Sequence, residues 1–220
     1  MVGVDVGQVN DPTAIVVAEA EPDPNYAGRF RFDVRFLQRL PLGTRYPAVS
    51  QRIVEVVLNL RQRDLVAITD LGVDVSEPFP ARYVIVCVDV TGVGRGVYDL
   101  IADDLRGLGV KAIACTFTHG ERITASGTER NAGLSVGKGA LVSRCQALLQ
   151  TGRLIFPARH PEVPALIGEL ETYQIKVDPN GDAKFGAFRT GAHDDLITAL
   201  GLAVLLDPVR TQLAKVTRVA

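Results

Sequence analysis

Hydrophobic and polar positions alternate along this chain in two periods, and the points where the period changes divide it into elements. Val2-Gly-Val-Asp-Val-Gly7 and Ala14-Ile-Val-Val-Ala18 are short β-branched apolar runs. The turn-forming Asn10-Asp-Pro-Thr13 lies between them, which predicts two adjacent strands joined by a tight turn. Glu19 to Ala27 is polar and proline-containing and reads as a turn or loop. Arg29 to Phe36 then alternates strictly between polar and aromatic or aliphatic residues, as a strand with one wet face does. Three antiparallel strands in a row is the economical reading. From Tyr46 to Asp64 the period lengthens: Val49, Ile53, Val56, Val57 and Leu60 share one helical stripe, with Pro47 at its start. Leu71 to Pro80 reads as an irregular insertion, with Asp70 and Asp74 as solvated loop acids.

Tyr83-Val-Ile-Val-Cys-Val-Asp-Val90 is the most hydrophobic strand and is expected to be buried on both faces. It carries one acid, Asp89, at its carboxyl end, before Thr91-Gly-Val-Gly-Arg-Gly96. A helix follows with Val97, Leu100, Ile101 and Leu105 inward and Gly107 and Gly109 at its stop. Val110 to Phe117 is a further strand. Thr118 to Lys138, rich in Gly, Ser, Thr and charge, reads as a long loop, a feature that in a compact domain is usually functional. Beyond it come a helix at 139–151, a short strand at 153–157 and a short helix at 163–171. Tyr173 to Val177 and Ala183 to Ala187 flank Asp178-Pro-Asn-Gly-Asp182, a strong hairpin signal. The last helix opens at Gly191-Ala-His-Asp-Asp-Leu196. The order βββ-α-β-α-β-α, a short β/α stretch, a hairpin and a closing helix predicts an α/β chain with a mixed sheet. No segment has the composition of a linker, so residues 1–220 are expected to form one domain.

Composition narrows the partners. Hydrophobic residues make up 47% of the 220, and the formal net charge is -1. That is enough apolar content for a substantial core. Any claim on nucleic acid must therefore come from a site and not from bulk charge. No apolar run approaches the ~20 residues of a membrane span, and no leader-like start is present. Cys87, Cys115 and Cys145 are odd in number and far apart, which fits buried reduced thiols better than a disulfide framework.

Three places put an acid where burial argues against it: Asp5 inside the first strand, Asp89 at the end of the central strand, and Asp194-Asp195 at a helix start. An acid in a buried strand is costly unless something cationic meets it, so Asp5 is either a metal ligand or half of a buried ion pair. Each of the others has a bland alternative: Asp194 as an N-cap, and Asp89 capping the Thr91-Gly turn. In an open α/β sheet, however, strand carboxyl ends and helix starts gather at one rim, where ligands bind. Clustered carboxylates resist common ionisation. Hard divalent cations relieve them, and all-oxygen ligation favours Mg²⁺ or Mn²⁺ over zinc.

Asp5 with the Asn10-Asp-Pro-Thr turn, Val88-Asp-Val-Thr-Gly-Val-Gly94 and His193-Asp-Asp-Leu-Ile-Thr-Ala-Leu200 together resemble the nuclease domain of tailed-phage terminase large subunits, in the ribonuclease H-like superfamily. Phe117-Thr-His-Gly, Gly139-Ala-Leu-Val, Gly152-Arg-Leu and Glu169-Leu-Glu stand in similar order, so the likeness spans the chain. It implies three antiparallel strands followed by parallel ones, and an endonuclease that cuts double-stranded DNA with little sequence preference during genome packaging. By the same resemblance Asp5, Asp89 and Asp195, with Asp194 close by, hold two Mg²⁺ or Mn²⁺ ions for phosphodiester hydrolysis. His193 is then a neighbour that hydrogen-bonds to the ligands. Implied partners are an ATPase domain, a small terminase subunit and a portal. The implied setting is the cytoplasm of an infected bacterium.

A full-length large subunit carries an ATPase motor, and no G-x-x-x-x-G-K-[ST] is present here. The expectation is an isolated nuclease domain. Arg95, Arg122, Arg130, Lys138 and Arg144 supply basic charge around the long loop, either for DNA or as a solvated face. Two alternatives share parts of the pattern. In a sugar-kinase or actin-like ATP-binding domain, Asp5-Val-Gly7 and Asp89-Val-Thr-Gly-Val-Gly94 would cradle phosphates, though that architecture needs two such domains. A Holliday-junction resolvase would use the same acids on branched DNA. A catalytically silent scaffold fits poorly with so complete a set of acids.

Overall fold

The computed structural model describes residues 1–7, 11–70, 84–92, 95–126, 133–177, 183–186 and 193–208, with 63–70, 174–177 and 183–186 as backbone only. The first three strands form as expected: β1 (Val2–Asp5), β2 (Ala14–Pro22) and β3 (Phe30–Arg39), paired antiparallel in sequence. Helix α1 runs Tyr46–Asp70, six residues past the expected stop. Leu65-Val-Ala-Ile contains no glycine or proline to end it, so Asp70 closes a helix and is not a loop acid. The insertion expected at 71–80 lies outside the described residues.

Strand β4 (Ile85–Asp89) lies parallel to β1 and is followed by α2 (Arg95–Asp104) and β5 (Lys111–Thr118). The chain then departs from the expected long loop. Ile123–Ser126 (β6) and Gly133–Gly137 (β7) are strands, β7 parallel to β5 and β6 antiparallel to β7 at the sheet's edge. All four β6 side chains are exposed, so no burial alternation marks it in the sequence. Helix α3 (Lys138–Gln150), the short β8 (Leu154–Ile155) and α4 (Val163–Thr172) follow. The hairpin forms as β9 (Gln174–Val177) and β10 (Ala183–Gly186), a separate two-stranded sheet. Its turn lies outside the described residues. Helix α5 (Asp195–Ala203) follows, and the described residues run on to 208.

The main sheet has the order β6-β7-β5-β4-β1-β2-β3-β8 and is covered on both faces. On one face Val2, Val4, Ile15, Val86 and Val88 pack on α1 through Val49, Ile53 and Val57 and on α2 through Val97 and Ile101. On the other, β2 and β3 pack on α3, α4 and α5 through Ala14, Val16, Phe32, Leu148, Leu166 and Leu200. Ile85, Cys87, Ile113 and Cys115 extend that second layer against Leu141 and Leu202. The three cysteines are all buried and unpaired.

Alternation on β1 and β4 decides where the acids point. Val2 and Val4 face α1 and α2, so Gly3 and Asp5 face α5. A Cβ on Gly3 would stand 2.0 Å from the Ala199 carbonyl oxygen, which shows how closely α5 lies across β1. On β4, Val86 and Val88 face α1, so Cys87 and Asp89 face α5 as well. Val4 pairs with Val88, and the two acids end the neighbouring strands one residue further on.

A second device lies in β3. The pairing with β2 slips between Val17 and Ala18, where Val17 opposes Phe36 and Ala18 opposes Val34. The unpaired Arg35 is a bulge, and it reverses the face of every residue after it. Phe32 and Val34 lie in the α4–α5 layer, Phe36 packs against the α1 layer, and Leu37 is back in the α4–α5 layer. Arg39 therefore reaches toward α4 and α5.

Candidate functional site

Asp5, Val6, Gly7, Asp11, Asp89, Gly92, Lys138, Asp194, Asp195 and Thr198 line one pocket of about 250 Å³. Four sequence-derived acids, Asp5, Asp89, Asp194 and Asp195, thus meet in one place from three elements. Gly7 allows the close return of the chain after β1: a Cβ there would stand 2.0 Å from the Asp11 carbonyl oxygen. The Gly7 N–H donates to the Thr13 hydroxyl at 3.1 Å, which fixes this turn's two ends.

Asp89 is held by the turn that follows it. Its Oδ1 accepts the Thr91 N–H at 2.8 Å and the Thr91 hydroxyl at 2.6 Å. The Thr91 hydroxyl in turn accepts the Phe117 N–H at 2.8 Å, tying β4 to β5. Asp89 does cap its turn, then, but through one oxygen.

At the start of α5 the two adjacent acids divide. Asp194 is the N-cap residue, half-buried, yet its side chain makes no capping bond. The expected cap comes instead from α4, where Glu169 Oε2 accepts the Ile197 N–H at 2.9 Å. Asp195, 4% exposed, has Oδ2 at 3.6 Å from Arg39 Nε and 3.6 Å from His193 Nδ1. His193 Nδ1 also stands 3.7 Å from Asp11 Oδ1.

The electrostatics follow from this crowding. Burial raises the Asp5 carboxyl well above the usual carboxylate range, and Asp89, Asp195 and Asp194 raise it further against the pull of Lys138. Asp89 is raised by burial in spite of its Thr91 bonds and Lys138. Asp195 is pushed up to about 6 by burial, with Arg39 and His193 opposing the shift. Lys138 is a nearby cation for Asp5 and Asp89, placed by the β7–α3 junction, where Gly137 N–H donates to Arg122 O at 2.8 Å. Its ammonium also sits 5.4 Å from the Phe117 ring centre.

The donor chemistry suits a hard divalent cation. Five carboxylates, those of Asp5, Asp11, Asp89, Asp194 and Asp195, line a common space, and their mutual repulsion falls when a cation binds. Asp11, His193 and Asp195 bring one ligand atom each within 4.8 Å of one another. The buried Asp195 Oδ2 and His193 Nδ1 have no hydrogen-bond partner among the described residues. Asp11 was not singled out from sequence, because it stands in a turn where aspartate is ordinary.

Of the basic residues considered for DNA, Lys138 lines the pocket. Arg95 and Arg122 are exposed, at the start of α2 and just before β6. Arg144 is engaged elsewhere: it donates to the Val204 carbonyl, pairs with Asp207 at 2.8 Å and covers the Phe32 ring at 5.3 Å. Arg130 lies outside the described residues.

Comparisons with known proteins agree with this architecture. The family model for the terminase RNaseH-like domain matches residues 82–206. A large terminase nuclease from thermophilic phage G20c, solved with bound magnesium, is 19% identical with a TM-score of 0.51; the match covers 93% of this chain and 79% of that one. A mutant large terminase subunit domain from bacteriophage Sf6, solved with calcium, is 13% identical with a TM-score of 0.58, covering 94% and 88%. The manganese-soaked human cytomegalovirus terminase nuclease domain is 11% identical with a TM-score of 0.51, covering 96% and 85%. No curated protein matches. The fold is the ribonuclease H-like mixed sheet expected from the sequence, and the chain belongs to the terminase RNaseH-like domain family.

Proposed function

We propose that residues 1–220 are a single metal-dependent endonuclease domain that cuts double-stranded DNA with little sequence preference during viral genome packaging. The observation that carries this reading is the convergence of Asp5, Asp89, Asp194 and Asp195 on one pocket, from the ends of two neighbouring strands and the start of α5. Mutual repulsion among these acids gives the pocket a purpose only when a cation arrives. Asp5, Asp89, Asp195 and Asp194 would hold two Mg²⁺ or Mn²⁺ ions, with Asp11 and His193 beside them. Bound ions of this kind activate a water and stabilise the leaving oxygen of a phosphodiester.

The chain's own residues do the rest. Thr91 fixes the Asp89 carboxylate, and α5 is pressed onto β1 at Gly3 so that Asp194 and Asp195 stay opposite Asp5. Lys138 offers a positive charge at the pocket to a phosphate oxygen. The neighbours solved with magnesium, with calcium and after a manganese soak support the choice of cation class. DNA contacts are assigned to Lys138 at the pocket and to the exposed Arg95 and Arg122, with the β6–β7 segment and the β9–β10 hairpin expected to border the groove. The partners are an ATPase domain, a small terminase subunit and a portal, in the cytoplasm of an infected bacterium. The family match takes support from the ATP-binding alternative. No described helix is long and apolar enough to cross a membrane.

Plasmid digestion tests the proposal. Supercoiled DNA should be nicked and linearised with Mg²⁺ or Mn²⁺ and left intact with excess chelator. Undiminished digestion in chelator would remove the metal mechanism.

A further inference from the structure

Beneath the pocket lies an ion pair that the hydrolytic reading does not use. Arg39, at the end of β3, pairs with Glu169 of α4 and also stands 3.6 Å from Asp195. Glu169 is 5% exposed, so its charge cannot be left to water. Its second oxygen accepts the N–H of Ile197, in the first turn of α5, at 2.9 Å. One carboxylate therefore fixes the helix start that carries Asp195, while its arginine partner stands at ion-pair distance from Asp195 itself. The sequence distances are long, from residue 39 to 169 to 195, and the β3 bulge aims the arginine there.

The charge balance is informative. A lone arginine beside Asp195 would subtract from the negative charge that the carboxylate offers to a cation. Glu169 cancels that positive charge locally. We propose that Arg39 and Glu169 form a charge-neutral positioning pair that holds Asp195 in place without weakening it as a cation ligand. This rests on the reading of Asp195 as a ligand. Groups behind metal ligands commonly set both ligand orientation and affinity, and altering them typically costs 10–100-fold in metal affinity.

Glu169→Gln separates positioning from folding. The amide oxygen still accepts the Ile197 N–H, but the Arg39 charge is no longer cancelled. Mn²⁺ binding to the DNA-free chain, followed by calorimetry, is the readout, with the melting curve of the metal-free protein recorded alongside. Glu169→Gln should raise the Mn²⁺ dissociation constant about tenfold while the protein remains folded. Arg39→Lys, which keeps the charge and loses the planar fork, should also weaken Mn²⁺ binding, and it serves if the first variant does not fold. Wild-type Mn²⁺ affinity in the folded variants, with or without a lower melting temperature, would overturn the pair's role and leave it a structural contact. Asp195→Asn is the control. If it binds Mn²⁺ as tightly as wild type, the ligand reading of Asp195 fails, a result distinct from failure of the pair alone.

Discussion

Two acidic clusters on the same sheet are built in opposite ways. Along β2 and β3, Glu19, Glu21 and Asp33 are matched by Arg31 and Arg35. Arg31 pairs with Glu21 and Asp33 at 2.9 Å each, and Arg35 pairs with Glu19 at 2.9 Å and Asp33 at 3.1 Å. Asp33 is as buried as many core residues and has two guanidinium partners. At the rim of β1, β4 and α5, Asp5 faces three other aspartates, with Lys138 as the cation that offsets it. Paired acids cost the fold little and reinforce the strand register. Unmatched acids cost it something, and the proposed cation would offset that cost after folding. The same residue type thus serves as scaffold in one region and, on the proposed function, as a receptor for charge in the other.

The sharpest way to break this contrast is to remove one acid from the rim. Asp5→Asn or Asp89→Asn should lower plasmid cleavage about 10³-fold, the scale seen when a single charge-stabilising group is lost. The metal-free melting temperature should stay level or rise, because a repelling carboxylate has gone. A variant that cleaves at the wild-type rate would take that residue out of the site. The adjacent acids sharpen the point: Asp195→Ala should lose nearly all cleavage, and Asp194→Ala less. Since Glu169 and not Asp194 caps α5, Asp194→Ala should cost well under the roughly 1 kcal/mol of a lost N-cap. A larger loss in a denaturant melt would assign Asp194 a structural role.

Cation binding should also stabilise the protein. At a concentration one hundred times its dissociation constant, Mn²⁺ should add about 2.7 kcal/mol to unfolding. The gain should vanish in a double Asp5→Asn, Asp89→Asn variant. An equal gain in that variant would place the ions elsewhere.

How much of this was legible in the sequence depends on what each feature leaves as a trace. Asp5 and Asp89 announce themselves as lone acids in apolar β-branched runs, and period-two alternation puts each on the same face as its neighbour at i−2. Asp194 and Asp195 are visible only through the helix start that follows them. Arg39 is invisible, since its face depends on the bulge at Arg35, and nothing in Arg-Phe-Leu-Gln-Arg marks an unpaired residue. Glu169 as the cap of α5 is equally hidden, because capping is normally sought within three residues and this cap comes from 28 residues away. Strands β6 and β7 leave little trace for a related reason: β6 is an edge strand exposed at all four positions, and β7 is five residues long with a glycine at each end.

The rim cluster should also make stability depend on pH. Burial pushes the Asp195 carboxyl up to about 6, above its ordinary value of 3.8, and raises Asp5 as well. Between those values the folded state binds more protons than the unfolded one, so these groups make metal-free stability fall as pH rises from about 4 toward 6. Mn²⁺ should reverse the trend, since ionised carboxylates bind it, and its affinity should drop below about pH 6. Chemical denaturation at pH 4.5 and 7, with and without Mn²⁺, checks both signs. A Mn²⁺ affinity unchanged across that interval would exclude Asp195 and Asp5 as ligands.

The smallest effect is expected where the acids are already matched. Arg35→Ala removes pairs to Glu19 and Asp33 at one stroke, yet its side chain is 45% exposed and Arg31 remains to hold Asp33. Exposed pairs typically contribute 0–1 kcal/mol, because water screens them and two long side chains must be ordered. Arg35 is also the bulge residue, but the bulge is fixed by the packing of Phe36 on one face and Leu37 on the other, which the substitution leaves in place. Denaturant melts should therefore show a loss of about 0.5 kcal/mol, smaller still in high salt. Plasmid cleavage should match wild type. Were cleavage to fall while stability held, the bulge would be transmitting its state to Arg39 and the site, and the two regions would be one mechanical unit.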